Sequence, residues 1–155
     1  MKPQETSLSE IYKFHPLGDR LATAGQPTEA QLRQIREAGF DTVINLALPS
    51  SDNALPNEGS IVTGLGMSYV HIPVNFQAPA SQDFRAFCGI MHALEGRCVF
   101  VHCAANMRVS AFMYLYRVLL KDVPASEARH DLNAIWHPDD VWSKFIEQQL
   151  EGNRP

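Results

Sequence analysis

The stretch Val99–Ser110, VFVHCAANMRVS, decides the fold of this chain because it joins a strand to a helix. Its first residues form a short β-branched run, which is typical of a strand buried on both faces. From Val109 to Leu120 nearly every residue is apolar, which indicates a helix buried on most sides. Cys103 therefore follows the carboxyl end of a buried strand and faces the N-terminus of a buried helix.

The position of Cys103 favours a reactive thiol. Backbone N–H groups of the loop, the positive end of the helix dipole and the guanidinium of Arg108 would all stabilise a thiolate. The same donors would form a cradle for a tetrahedral oxyanion. The nucleophile and the anion site would then coincide, as covalent phosphoryl transfer through cysteine requires. We therefore expect Cys103 and Arg108 to be the catalytic residues.

Strands and helices alternate along most of the sequence. This alternation predicts an α/β fold with a mostly parallel central sheet, flanked by helices on both faces, and an active centre at the carboxyl ends of the strands. We expect one domain over residues 1–155, with residues 1–10 as a loosely ordered lead. Predicted strands cover 42–46, 69–72 and 98–101, after an edge strand or hairpin that interrupts itself within 11–21. Predicted helices begin after Thr28, at Glu58, at the N-cap Ser81, at Val109, and near residues 124 and 138.

Composition and charge argue against several classes of partner. The net charge of -4 gives no basic surface for nucleic acid, so no nucleic-acid partner is expected. No apolar run approaches the ~20 residues that span a bilayer, and the N-terminus lacks an apolar leader core, so we expect no membrane partner. Three cysteines without a CxxC pair fit a reducing compartment, and we expect the protein in the cytoplasm. The six histidines lack metal-ligand spacing, so neither a metal site nor a cofactor is predicted.

His102-Cys103, a short loop and Arg108 resemble the signature of the cysteine-dependent protein tyrosine and dual-specificity phosphatases. This resemblance implies that Cys103 attacks phosphorus, that Arg108 holds two phosphoryl oxygens, and that a cysteinyl-phosphate forms and is hydrolysed without a metal. The implied substrate is a phosphorylated protein or a small phosphate ester. The substrate-binding residues that the resemblance suggests are His102, Ala104, Ala105, Asn106, Met107 and Ser110.

The rest of the chain is more closely similar to a family of small bacterial phosphatase-like proteins. Three segments recur in that family in the order seen here, namely Gly25–Pro27, Gly39–Leu46 and Tyr69–Val74. The similarity covers roughly residues 14–120.

The loop departs from the usual phosphatase signature in length and composition. Only four residues separate Cys103 from Arg108, where five are usual, and none of the four is glycine. We expect Asn106 to adopt the left-handed conformation that a glycine would otherwise supply. Val109 stands where a serine or threonine usually follows the arginine, so Ser110 comes one position late.

Two alternatives to a phosphatase remain open at this point. A spacing of four residues between Cys103 and Arg108 resembles the active loop of the rhodanese-type sulfurtransferases, in which the cysteine carries a persulfide. The other alternative is a phosphatase-like binding module that grips an anion with little turnover. Release of phosphate, formation of thiocyanate, or neither would distinguish these functions.

The general acid of a phosphatase has no clear candidate in the sequence. The loop 73–80, where the resemblance places it, offers Asn75 and no carboxylate, and Asp83 reads as an acid in the first turn of a helix. The motif Trp136-His137-Pro138-Asp139-Asp140 follows the nucleophile, and helix N-capping explains its residues better than catalysis does. Cys88 and Cys98 lie in apolar patterns and are predicted to be core residues.

Overall fold

The structure, a computed structural model, describes residues 8–152. Its strands are β1 His15–Pro16, β2 Leu21–Ala24, β3 Thr42–Asn45, β4 Ser68–His71 and β5 Val99–His102. They form one sheet in the order β1-β2-β5-β3-β4. Strands β2, β5, β3 and β4 are parallel, and β1 is an antiparallel edge strand. The helices are α1 Glu29–Glu37, α2 Glu58–Gly64, α3 Ser81–Ala93, α4 Met107–Leu120, α5 Ala125–Ile135 and α6 Asp140–Gly152.

Apolar clusters cover both faces of this sheet. Val43 and Phe100 belong to one cluster, whereas the next residues, Ile44 and Val101, belong to the other, because successive strand residues face opposite sides. Helices α1 and α2 complete the first cluster, and α3 to α6 complete the second. The predicted α/β fold, with a mostly parallel sheet flanked by helices on both faces, is confirmed.

The strand register brings three chain segments together at one edge of the sheet. Ala24 of β2 and Asn45 of β3 both pair with His102, the last residue of β5. The segments that follow these three strands therefore emerge side by side at the carboxyl edge. Cys103 is the first residue after the central strand of the three.

Most predicted helices and strands are present, and the differences concern one short strand and one helix cap. The predicted edge hairpin is confirmed as β1 and β2, although β2 itself, an alanine-containing strand of four residues, was not expected as a member of the parallel sheet. The N-cap of α3 is Ala80 rather than Ser81. Ser81 is instead the first residue of the helix, and its hydroxyl accepts a hydrogen bond from Gln149 Nε2 of α6 at 2.6 Å.

The predicted lead over 1–10 lies mostly outside the described residues. Of its last part, Leu8 is buried and packs in the cluster under α1 and α2. Within the described chain, no helix combines the length and the hydropathy needed to cross a membrane.

Candidate active site

The residues Cys103–Asn106, here called the cysteine loop, connect β5 to α4. The Cys103 N–H donates to the Ala24 carbonyl at 3.3 Å, and the Gln26 N–H donates to the Ala104 carbonyl at 3.2 Å. Cys103 is fully buried, whereas Ala104 is half-buried. The segment that leaves β2 thus holds one side of the loop, and the thiol lies below the loop surface.

Asn106 ends the cysteine loop in the left-handed conformation, with φ of 63°. The conformation predicted for this residue from the sequence is confirmed. Its Nδ2 donates to the Lys13 carbonyl at 3.0 Å and to Thr23 Oγ1 at 3.1 Å. Asn106 therefore gives the loop its sharp turn and also ties it to the hairpin of β1 and β2.

The N-terminus of α4 has no side-chain cap. Asn106 occupies the N-cap position, but it makes no capping hydrogen bond because its amide is directed at Lys13 and Thr23. The first backbone N–H groups of any α-helix have no carbonyl partner within the helix. An uncapped helix N-terminus beside Cys103 is therefore suited to receive an anion.

Arg108 lies in the first turn of α4 and is 7% exposed. Its Nη1 donates to the Val74 carbonyl at 3.0 Å, and the Phe76 ring lies 5.8 Å from the guanidinium carbon. Arg108 Nε is buried and has no hydrogen-bond partner among the described residues. Buried polar groups normally have partners, so this N–H is available to an acceptor that the chain does not itself provide.

Behind the loop, His102 and Glu58 form a buried pair. His102 Nε2 lies 2.5 Å from Glu58 Oε2, and His102 Nδ1 lies 3.2 Å from the Cys103 carbonyl. The exposed fractions of the two side chains are 0% and 4%. Gln26 Nε2 donates to the other carboxylate oxygen of Glu58 at 2.7 Å, while Gln26 Oε1 is buried without a partner in the described chain.

The charge of Glu58 is retained despite its burial. Burial by itself raises the pKa of this carboxyl, but hydrogen bonds from His102 and Gln26 and the electrostatic attraction of the nearby His102 ring outweigh it. The pKa of Glu58 is therefore lowered from its ordinary value of 4.5. Burial, with a further contribution from Glu58, raises the pKa of the neighbouring Tyr69 to about 12, although a hydrogen bond from Asn45 opposes the shift.

Aromatic side chains line the arginine side of the site. Phe76 packs against Trp136 and Trp142, with ring centroids 5.7 and 5.9 Å apart. Trp142 Nε1 donates to the Phe76 carbonyl at 2.8 Å, and Trp136 Nε1 donates to Ser110 Oγ at 3.1 Å. The loop 73–80 is thereby fixed against α6 and against Arg108.

The structure places the other predicted site residues as follows. Ala105 and Met107 are half-buried around Asn106. The Ser110 hydroxyl donates to the Met107 carbonyl at 3.1 Å, so it is used within α4 and by Trp136. Within residues 8–152, no three His, Cys, Asp or Glu side chains are grouped so that they could hold a metal ion.

Asn75, which is not an acid, and the acid candidate Asp83 both make local contacts in the structure. Asn75 is exposed, and its side-chain oxygen accepts from the Gln77 N–H at 2.9 Å. Asp83 is half-buried in the first turn of α3, and its own N–H donates to the Ala80 carbonyl. Asp139 Oδ1 accepts from the Trp142 N–H at 2.9 Å, which confirms that helix capping explains this residue.

Sequence reasoning missed Glu58 and Gln26 as parts of the site. Glu58 reads as an ordinary acid in the first turn of a short helix, and Gln26 reads as part of a turn. The sequence contains one usable signal, the Gly25–Pro27 segment, in which a polar residue stands between two residues that are typical of turns. No local pattern connects it to Glu58, which lies 32 positions further along the chain.

A cysteine at the end of a central parallel strand, an uncapped helix N-terminus and a buried arginine in the first helical turn define the class of cysteine-loop phosphatase folds. Residues 12–140 match the family described as DSP-PTPase phosphatase fused to NAD+ kinase, and the chain belongs to that family. It is accordingly a member of the superfamily of cysteine-based protein tyrosine and dual-specificity phosphatases.

Two solved structures and one curated protein illustrate this relationship. A DUF442 protein of Shewanella putrefaciens CN-32 is 34% identical, with a TM-score of 0.86 over 97% of this chain and 99% of that chain. The P. aeruginosa protein TpbA, solved in complex with pTyr, has a TM-score of 0.72 over 92% of this chain and 88% of that chain, and at 13% identity it shows the fold alone.

The curated relative is the beta-lactamase hydrolase-like protein of Agrobacterium fabrum (strain C58), which is 32% identical over 106 residues. The match covers 66% of this chain and 24% of the relative. The chain therefore corresponds to about a quarter of the length of that protein.

Proposed function

We propose that this chain is a cysteine-based phosphatase that acts on a phosphorylated protein or a small phosphate ester. The observation that carries the proposal is the free hydrogen-bonding capacity around Cys103: α4 begins without a side-chain cap, and the buried Arg108 Nε has no partner among residues 8–152. Together they supply directed N–H donors and one fixed positive charge. A phosphoryl group matches this set in charge and in its number of acceptor oxygens.

In the proposed reaction, the Cys103 thiolate attacks phosphorus and the bond from phosphorus to the ester oxygen breaks. Arg108 and the first N–H groups of α4 hold the equatorial phosphoryl oxygens, on which the charge is spread. The leaving oxygen takes the electron pair of that bond and then a proton from solvent water, which gives an alcohol or phenol. Water then attacks the cysteinyl-phosphate, the sulfur–phosphorus bond breaks, and phosphate and the thiolate are released. These steps use no metal ion.

The missing acid predicts which esters react fastest. A positioned carboxylic acid supplies typically ~10²–10⁴-fold by protonating the leaving oxygen. The loop 73–80 contains no carboxylate, so the leaving group must accept most of its charge unaided. We expect aryl phosphates with acidic phenols to be cleaved far faster than alkyl phosphates.

A sulfurtransferase is the second candidate, and the loop length favours it. Four residues, 104–107, separate Cys103 from Arg108, and this spacing resembles that of rhodanese-type enzymes. In that reaction the thiolate takes the outer sulfur of thiosulfate and releases sulfite. The resulting persulfide gives this sulfur to cyanide, which forms thiocyanate and restores the thiolate.

Paired assays of one preparation distinguish these functions. Phosphate release from p-nitrophenyl phosphate and thiocyanate formation from thiosulfate and cyanide are measured for the wild type and for Cys103→Ser. We expect phosphate release that Cys103→Ser abolishes, while calorimetry shows that this variant still binds vanadate. Thiocyanate formation without phosphate release would establish the sulfurtransferase instead. Vanadate binding with neither product would leave an anion-binding module.

A thiol nucleophile must remain reduced, which supports the cytoplasmic location expected from the sequence. Cys88, Cys98 and Cys103 are all free thiols in the structure. Cell fractionation of the native host, with the chain detected by antibody, tests this part of the proposal. Recovery in a fraction other than the cytosol would contradict it.

A further inference from the structure

We propose that Glu58 is a positioning residue for the cysteine loop, acting through His102 and Gln26. The proposal rests on the proposed function, because it concerns how the same anion site is held in shape. Glu58 comes from α2, which is distant in sequence from both segments that it joins. Its two carboxylate oxygens bind one segment each.

The contacts of Glu58 reach the loop from two sides. One oxygen binds His102 Nε2, and the other nitrogen of the same ring lies 3.2 Å from the Cys103 carbonyl. The second oxygen accepts from Gln26 Nε2, and the Gln26 N–H donates to the Ala104 carbonyl. Through His102 and Gln26, a single carboxylate thus reaches the two successive peptide groups that flank Ala104.

The side chains of this pair cannot relax into solvent. His102 is completely buried and Glu58 is 4% exposed, so neither can exchange its partner for water without opening the core. Both nitrogens of His102 face oxygens that can only accept, namely a carboxylate and a carbonyl. The ring orientation is therefore set by Glu58, and the Cys103 carbonyl follows the ring.

A purely structural role makes a different prediction from a positioning role. A buried group that only stabilises the fold changes how much protein is folded, whereas a positioning residue changes what the folded protein binds. Errors of about 1 Å in a site cost about 100-fold in function. Glu58→Gln keeps the size of the side chain but removes the charge that holds His102.

The matched control is Val62→Ala in the same helix. Val62 is fully buried in the apolar cluster and is absent from the hydrogen-bond network of the pair. Its truncation destabilises α2 without touching His102 or Gln26. Vanadate affinity is measured by calorimetry at a temperature at which circular dichroism shows each variant fully folded.

We expect Glu58→Gln to weaken vanadate binding by about 10- to 100-fold, while Val62→Ala binds as the wild type does. Glu58→Asp keeps the charge but withdraws it by one methylene, and it should restore part of the affinity. If Glu58→Gln does not fold, the vanadate affinity of Glu58→Asp is compared with that of Val62→Ala, and the same criterion applies. Wild-type affinity in the folded Glu58 variant, or a loss equal to that of Val62→Ala, would overturn the proposal.

A second measurement separates this proposal from the proposed function. The rate at which iodoacetamide alkylates Cys103 in a variant lacking Cys88 and Cys98 reads the loop without any anion. We expect Glu58→Gln, or Glu58→Asp if the former is unfolded, to change this rate several-fold relative to Val62→Ala. If the wild type releases no phosphate but this difference is present, the phosphatase fails and the positioning role stands. An unchanged rate removes the positioning role, whatever the chain catalyses.

Discussion

The two flanks of the cysteine loop differ in how far the protein itself satisfies their polar groups. On the strand side, His102 pairs with Glu58, and Glu58 pairs with Gln26, all of them buried. On the helix side, Asn106 leaves α4 uncapped, and Arg108 Nε has no hydrogen-bond partner in the part of the chain that the structure describes. Apart from Gln26 Oε1, the described residues therefore satisfy the polar side-chain groups of this strand-side network, whereas the helix side keeps N–H donors that an anion would complete.

Arg108→Lys tests the helix side and should have the largest effect. An ammonium keeps the charge but cannot supply the forked pair of hydrogen bonds that a guanidinium gives to two oxygens. Losing a hydrogen bond to a charged group costs about 1.5–3 kcal/mol, which corresponds to roughly 10- to 100-fold weaker vanadate binding by calorimetry. Equal affinities for wild type and variant would show that Arg108 is not the clamp.

Gly25→Ala tests the strand side through packing. A Cβ at Gly25 would lie 2.7 Å from the Ala104 carbonyl oxygen and 2.7 Å from Cδ2 of Tyr12. The carbonyl is part of the cysteine loop and cannot rotate away, so we expect a loss of about 1–3 kcal/mol in the free energy of unfolding, measured with urea.

The matched control for Gly25→Ala is Gly89→Ala in α3. A Cβ at Gly89 meets nothing within 4 Å, so the same substitution there should stabilise the protein by about 0.5–1 kcal/mol. Opposite signs for the two variants would establish that the close contacts with the Ala104 carbonyl and Tyr12, rather than the loss of a glycine, are responsible. A Gly25→Ala protein as stable as the wild type would mean that the cysteine loop moves freely. This result would contradict the inference that the fold holds the strand side of the loop in place.

The charge of Glu58, on the strand side, should make the free energy of unfolding of the protein depend on pH. The pKa of Glu58 in the folded protein lies below its ordinary value of 4.5, because hydrogen bonds from His102 and Gln26 outweigh burial. The resulting stability is therefore complete above pH 4.5 and is lost as the pH falls through the lower folded value. The groups that face Glu58 are His102, Gln26, Tyr69 and His71.

Thermal unfolding of wild type and Glu58→Gln between about pH 7 and pH 3 measures this contribution. The difference in Tm should be constant in the upper part of the range and should shrink in the lower part. A difference that grows as the pH falls would have the opposite sign from that expected of a lowered carboxyl pKa.

Periodicity and capping residues carried most of the fold prediction. Thr28 and Gln31 form the capping box of α1 that their spacing predicts, and Gly39 has the positive φ expected after a helix end. The strand β2 could not be predicted because Leu21–Ala24 is short and contains two alanines, which have low β propensity. Its place in the sheet depends on pairing with Val99–His102, a contact that no local pattern encodes.

The candidate site divides in the same way between local and distant information. The positions of Cys103, Asn106 and Arg108 follow from one continuous stretch, so their arrangement could be predicted from the sequence. The Glu58–His102 pair joins residues 44 positions apart, and single-sequence reasoning gives no reason to prefer Glu58 over any other acid. Chain topology, rather than residue type, makes this carboxylate part of the site.

Asp83→Asn should have the smallest effect of all, and it tests whether an acid has been overlooked. Asp83 lies in the first turn of α3, where the helix dipole stabilises a negative charge. The presence of an acid at this position therefore needs no catalytic explanation. We expect the variant to change kcat for p-nitrophenyl phosphate and for an alkyl phosphate by less than about twofold, since only a helix-terminal charge is lost. An acid catalyst would behave differently: its removal would spare the acidic phenol, which leaves easily, and would slow the alkyl ester by ~10²-fold or more. A loss confined to the alkyl ester would therefore identify Asp83 as the proton donor, and it would require the arginine side of the site to include the start of α3.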